Sequence, residues 1–147
     1  IYLNRGNINF QKRKYKEALD DLAKAIKFNP TDIQIFLLRA EIYIINKDIN
    51  SAINDFIKVT EISPKAVFAY VKLGDIYREQ HKTEESKFYY QKAIEVNNKN
   101  ASAYYGYAKL CEMEGNKELA INNYQTAAGL DIKLSKECNM KISQLKA

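Results

Sequence analysis

The sequence predicts an all-α protein of nine helices, built as helical hairpins stacked in series. Small residues recur every 34 positions, at Gly6, Ala40, Gly74 and Ala108. An aromatic column (Tyr2, Phe36, Tyr70, Tyr104) and two further compact columns keep the same period without an insertion. The compact columns are Ala18, Ala52, Ser86 and Ala120, and Ala25, Val59, Ala93 and Ala127. Within each unit, apolar residues follow helical spacing on both sides of a short polar break. A fixed period of this length marks one supersecondary element that cannot bury its apolar face alone and stacks on its neighbours.

The first unit, 1–32, predicts helices over 1–12 and 15–28, and the second, 33–66, predicts them over 33–45 and 49–61. In the third, 67–100, the clearest of the four, Val67, Tyr70, Val71, Gly74 and Tyr77 share one face of a helix over 67–79. His81, Lys82 and Thr83 interrupt that pattern, and it resumes at Phe88, Tyr89, Ala93, Ile94 and Val96 in a helix over 83–96. So short a turn makes the two helices antiparallel neighbours. The fourth unit, 101–134, repeats the plan over 101–113 and 117–129. Gly74 and Ser86 remove bulk where the axes cross, which suits mixed ridge packing at a shallow angle of about 20°. Pro30 and Pro64 stop the second helices of units one and two, because proline lacks the N–H and clashes with the preceding turn. Asn97-Asn98 supplies the third stop, and Asp131-Ile132-Lys133 is the weakest. A final helix over 135–146, with Cys138, Ile142 and Leu145 on one face and Ser135 as N-cap, predicts a cap (135–147) for the last exposed hairpin.

Composition narrows the function. The chain has 147 residues, 46% apolar and 28% charged, and the repeats leave no linker in which to place a domain boundary. No apolar run approaches the roughly 20 residues of a membrane span, and no signal peptide is evident, so no membrane partner is expected. The net charge of +5 comes from lysine, since only Arg5, Arg13, Arg39 and Arg78 are arginines, and it is interleaved with acids. Such a surface is solvated rather than a nucleic-acid track. Cys111 and Cys138 fall at apolar helical positions, which predicts buried thiols in a reducing, cytoplasmic setting. His81, the sole histidine, stands in a turn with no nucleophile beside it. There is no Gly-rich phosphate loop and no CxxC pair, and Glu84-Glu85 simply opens a helix. No enzyme, metal site or cofactor is expected.

With those columns in hand, the chain resembles a tetratricopeptide repeat (TPR) protein over its whole length, as four units plus a C-terminal capping helix. The Asn4-Arg5-Gly6-Asn7 string is similar to the first helix of such a unit, while Asn9, Val59 and Ser86 depart from the usual residue types. The resemblance implies a right-handed alpha-alpha superhelix, a TPR solenoid whose first helices line a concave groove and whose second helices form the outer wall. Members generally hold peptides or partner proteins and rarely do chemistry. Ile1 falls at the third position of its unit, which suggests a piece of a longer protein. Tyr2 and its neighbours then lack a preceding repeat, a face through which copies could associate weakly.

The family's best-known ligand is the acidic tail of heat-shock chaperones, held by a clamp of Lys, Asn and Arg. Asn7 matches the first clamp asparagine, but Leu3, Leu38 and Phe68 stand at other clamp positions and Lys72 at the arginine position. Shifting the register to units two to four puts Leu37 and Glu41 at the first two places. Leucine and phenylalanine cannot pair with carboxylates, so a chaperone-tail co-chaperone is disfavoured. The resemblance places instead an apolar strip with mixed charge in the groove: Leu3, Asn7, Phe10, Leu37, Glu41, Ile44, Phe68, Val71, Lys72, Asp75, Arg78, Tyr105 and Lys109. Leu38 lies with them, although adjacent repeats could bury it or Ile44. Each large apolar side chain covered by a partner contributes about 1.5–3 kcal/mol before ordering costs. Asn4 and Asn7 could grip a ligand backbone. The leading reading is a scaffold that binds a peptide or helical segment of a partner protein. The alternative is an assembly segment of a larger multi-repeat protein in a ciliary, organelle-associated or cell-cycle complex. A regulatory appendage of an enzyme ranks last.

Overall fold

The computed structural model describes residues 1–147, which form nine α-helices and no strand. They are α1 (Tyr2–Gln11), α2 (Tyr15–Phe28), α3 (Ile33–Ile45), α4 (Ile49–Ile62), α5 (Val67–Glu79), α6 (Thr83–Val96), α7 (Ala101–Met113), α8 (Lys117–Leu130) and α9 (Ile132–Lys146). The chain divides into two compact units, Ile1–Pro64 with two hairpins and Lys65–Ala147 with two hairpins and α9. Within each unit every helix touches the next along the chain, and first helices also meet, α1 with α3 and α5 with α7. None is long and apolar enough to cross a membrane.

Four hairpin turns share one device. Arg13, Lys47, His81 and Gly115 adopt positive φ (58°, 61°, 57° and 76°), each one residue past a helix C-cap. The next residue's N–H reaches back five positions, as Lys14 to Asn9, Asp48 to Tyr43, Lys82 to Tyr77 and Asn116 to Cys111. This left-handed closure satisfies helix carbonyls that would otherwise lack donors. Side-chain caps start several helices: Asp32, Asp48, Asn100, Asn116 and Asp131 each accept a backbone N–H.

One predicted boundary is corrected. The last helix begins at Ile132, not at 135, and its N-cap is Asp131 rather than Ser135. Asp131 serves both neighbours: its N–H donates to Ala127, ending α8, and its carboxylate accepts the Lys133 N–H, opening α9. The interruption between those helices is therefore a single residue.

The compact columns sit where hairpins close. Gly6, Ala40, Gly74, Ala108, Ala18, Ala52, Ser86 and Ala120 are all buried. Ser86 also donates its hydroxyl to the Gly74 carbonyl at 2.8 Å, so its polar atom is satisfied inside the hairpin. In the first unit Ala18, Leu22, Ala25, Ile35 and Ile42 form the core. In the second, Tyr90, Ala93, Ala103, Leu110, Cys111, Tyr124 and Cys138 do so. Both cysteines are free and buried, and burial pushes the Cys111 thiol up to about 11.

Two ion pairs repeat with the 34-residue period in the first unit. Arg5 grips Asp21 with Nε and one terminal nitrogen at 2.8 and 2.5 Å, and Arg39 grips Asp55 likewise at 2.8 and 2.6 Å. Both aspartates are buried. Asn9, which departs from the usual aromatic, donates to Asp21 at 3.1 Å.

Candidate functional site

On the first-helix side of the first unit, α1 and α3 border an open recess of about 350 Å³. Its walls are Leu3, Asn4, Asn7, Gln34, Leu37, Leu38 and Glu41. Five residues predicted for the groove thus meet in one place: Leu3, Asn7, Leu37, Leu38 and Glu41. Leu3, Leu37 and Leu38 are half-buried, so each offers apolar surface while anchored from behind, whereas Asn4, Asn7 and Gln34 are exposed. Leu3 and Leu38 also pack on the unit's core. Ile44 is exposed one turn further along α3. Phe10 instead packs against that core and lies 6.0 Å from the Tyr15 ring, a contact that closes the α1–α2 hairpin.

The second unit places its predicted residues differently. Phe68 is 45% exposed, but Val71, three residues on, is 8% exposed and belongs to the core with Tyr90. Val71 therefore leaves little surface for a partner, a correction to its predicted place in the groove. Lys72 is exposed and Tyr105 half-buried. Asp75, Arg78, Tyr105 and Lys109 join a polar network that spacing alone did not reveal. The buried Tyr90 hydroxyl donates to Asp75 at 2.6 Å and accepts from Arg78 Nε at 3.2 Å. Tyr105 donates to Glu137, and Tyr124 donates to Glu112 at 2.7 Å. All three phenols are held well above the ordinary tyrosine range, first by burial and then by these carboxylates. Lys109 sits 4.5 Å above the Tyr105 ring, and burial followed by the charge of Arg78 holds its ammonium below the usual lysine range. Arg78, Lys109, Glu112, Met113 and Lys141 line a second recess of about 380 Å³. The contribution of Lys141 depends on the capping helix, which no position in the first helices could have signalled.

Helical hairpins that pack in series within each unit, with recesses along their first helices, define a helical-repeat protein. Residues 1–32, 33–66 and 69–100 match the tetratricopeptide repeat family, and the chain belongs to it. It is 36% identical over 59 residues to human DnaJ homolog subfamily C member 7, spanning 40% of this chain and 12% of that protein. It is 26% identical over 129 residues to mouse sperm-associated antigen 1, spanning 84% of this chain and 14% of that protein. The chain therefore spans only about an eighth to a seventh of these relatives. A tetratricopeptide repeat protein from Parabacteroides merdae superposes with a TM-score of 0.82 at 23% identity, over 98% of this chain and 56% of that one. That likeness shows the fold, an all-α tetratricopeptide-repeat solenoid.

Proposed function

We propose that this chain is a non-catalytic cytoplasmic scaffold whose first helices hold a peptide or helical segment of a partner protein. The α1–α3 recess carries the reading. Leucines from two helices form its apolar floor, exposed amides stand at its rim, and a single carboxylate lies at one end. Leucines supply anchor burial, and a side-chain amide can both donate to and accept from a ligand backbone, so this composition suits a mainly apolar segment with its backbone exposed. Family membership supports protein interaction as the role. The residues at the chaperone-tail clamp positions support a partner other than a polyacidic tail.

The test is affinity capture of partners with the chain beside Leu37→Asp combined with Phe68→Asp. Capture is expected to disappear while the helical circular-dichroism signal and the melting temperature stay within a few degrees. Collapse of the fold would instead make those side chains structural. A second reading, an assembly segment contacting neighbours through its second helices, is favoured by Phe88, which is 53% exposed on α6. In that case Asn54→Arg with Lys87→Glu would abolish association and the groove variant would be tolerated. Self-association through the Tyr2 face is read separately, by light scattering over a range of concentrations.

A further inference from the structure

The second recess holds more positive than negative charge in its lining. Arg78, Lys109 and Lys141 face one carboxylate, Glu112, with Met113 as an apolar wall. Lys141 is paired with Glu112, whereas the pairing of Arg78 and Lys109 is incomplete. Lys141 lies 3.3 Å from Glu112, whose other oxygen accepts the Tyr124 hydroxyl. A terminal nitrogen of Arg78 lies 3.6 Å from the same Asp75 oxygen that already takes the Tyr90 hydroxyl, well beyond the roughly 2.7–2.9 Å of a charge-assisted bond. Yet the Arg78 side chain is only 15% exposed. Lys109 is half-buried with no ion-pair partner, and its ammonium is positioned by the Tyr105 ring, itself tied to Glu137. The neighbouring carboxylates Asp75 and Glu137 are thus committed to phenols.

Arg78 and Lys109, half-buried and flanked by carboxylates already engaged with phenols, present donors without a close carboxylate acceptor, and Lys141 adds a third cation already paired with Glu112. We infer that the recess between α5, α7 and α9 binds one oxyanion, a carboxylate or a phosphate, through Arg78, Lys109 and Lys141. Its volume suits one such group and a few attached atoms. The guanidinium fork matches two oxygens of either anion, and the two ammonium groups act as point charges beside it. The depressed Lys109 ammonium agrees, because a bound anion would offset the crowding by Arg78. These positions differ from those of the clamp tested in the sequence, and Lys141 comes from the capping helix. The inference deepens the proposed scaffold role and rests on it: the partner would offer one anionic group as well as apolar anchors.

The test uses the whole chain with lysine side-chain NMR at constant ionic strength. Inorganic phosphate, N-acetyl-O-phosphoserine amide and N-acetyl-aspartate amide are titrated in turn. Lys109 is expected to shift saturably, with its pKa rising by about one unit, while exposed Lys99 does not respond. Lys109→Gln should weaken binding at least about tenfold, read at Lys141. Lys141→Gln, read at Lys109, guards against loss of the Tyr105 contact as the cause. Preference for phosphoserine amide over aspartate amide would assign a phosphorylated side chain, and equal binding a carboxylate. Unsaturable shifts, or equal shifts at Lys99 and Lys109, would overturn the site. Leu37→Asp with Phe68→Asp should leave anion binding intact, so failure of the scaffold role and failure of this site are read separately.

Discussion

Tyr90 lies fully buried with a glycine on each side. A β-carbon at Gly74 would stand 2.7 Å from its Cε1, and one at Gly106 only 2.3 Å away. Backbones of α5 and α7 therefore approach a large ring that has no room to retreat, because Asp75 and Arg78 hold its hydroxyl. Gly106→Ala is expected to lower stability by about 1–3 kcal/mol or more through overpacking, seen as a lower urea midpoint. Gly129, with nothing within 4 Å of its hypothetical β-carbon, is the control: Gly129→Ala should be neutral or raise stability by about 0.4–1 kcal/mol. Asp21 gives a pH-dependent prediction. The hydrogen bond from Arg5 holds its carboxyl below the usual range against the opposing effect of burial. Its contribution is present above the unfolded carboxylate value of about 4 and is lost as pH falls through the lower folded value. The wild-type advantage over Asp21→Asn in urea should therefore be larger at pH 7 than at about pH 2.5.

Each hairpin turn at the element scale needs one left-handed residue, and only α7–α8 supplies glycine for it. The side chains of Arg13, Lys47 and His81 carry a conformational cost of about 1–2 kcal/mol each. Replacing Lys47 or His81 by glycine should stabilise the fold by up to about 1 kcal/mol, the gain reduced by the freer unfolded chain. Gly115→Ala should destabilise it by a similar amount, and thermal melts of the three variants check both signs. The ion pairs that join hairpin halves make a second element-scale case. Asp55 is buried against Arg39, so Asp55→Ala, which strands the guanidinium, should cost about 1.5–3 kcal/mol.

At the scale of the whole molecule, α9 closes the second unit. It brings Cys138 and Ile142 into the core and Lys141 to the charged recess. A chain ending at Asp131 is expected to expose that apolar face, bind a hydrophobic dye and lose Lys109-linked anion binding together. The repeat, eight helices to within a residue at each end, and the compact columns that let hairpins close can all be read from the residues alone. These are legible because helix periodicity and the 34-residue period are local patterns repeated four times. The Arg5–Asp21 and Arg39–Asp55 pairs share that period and could have been found from it, as could the turn column ending in Gly115. Other features needed the tertiary structure. Val71 and Phe68 lie three residues apart on one helix, yet one is covered and the other open. Tyr90 meets Gly106 from the following hairpin, and Lys109 and Lys141 line one recess from different helices. Spacing along a helix says which side chains share a face, but only the position of the neighbouring helix decides whether that face is buried, paired or left for a partner.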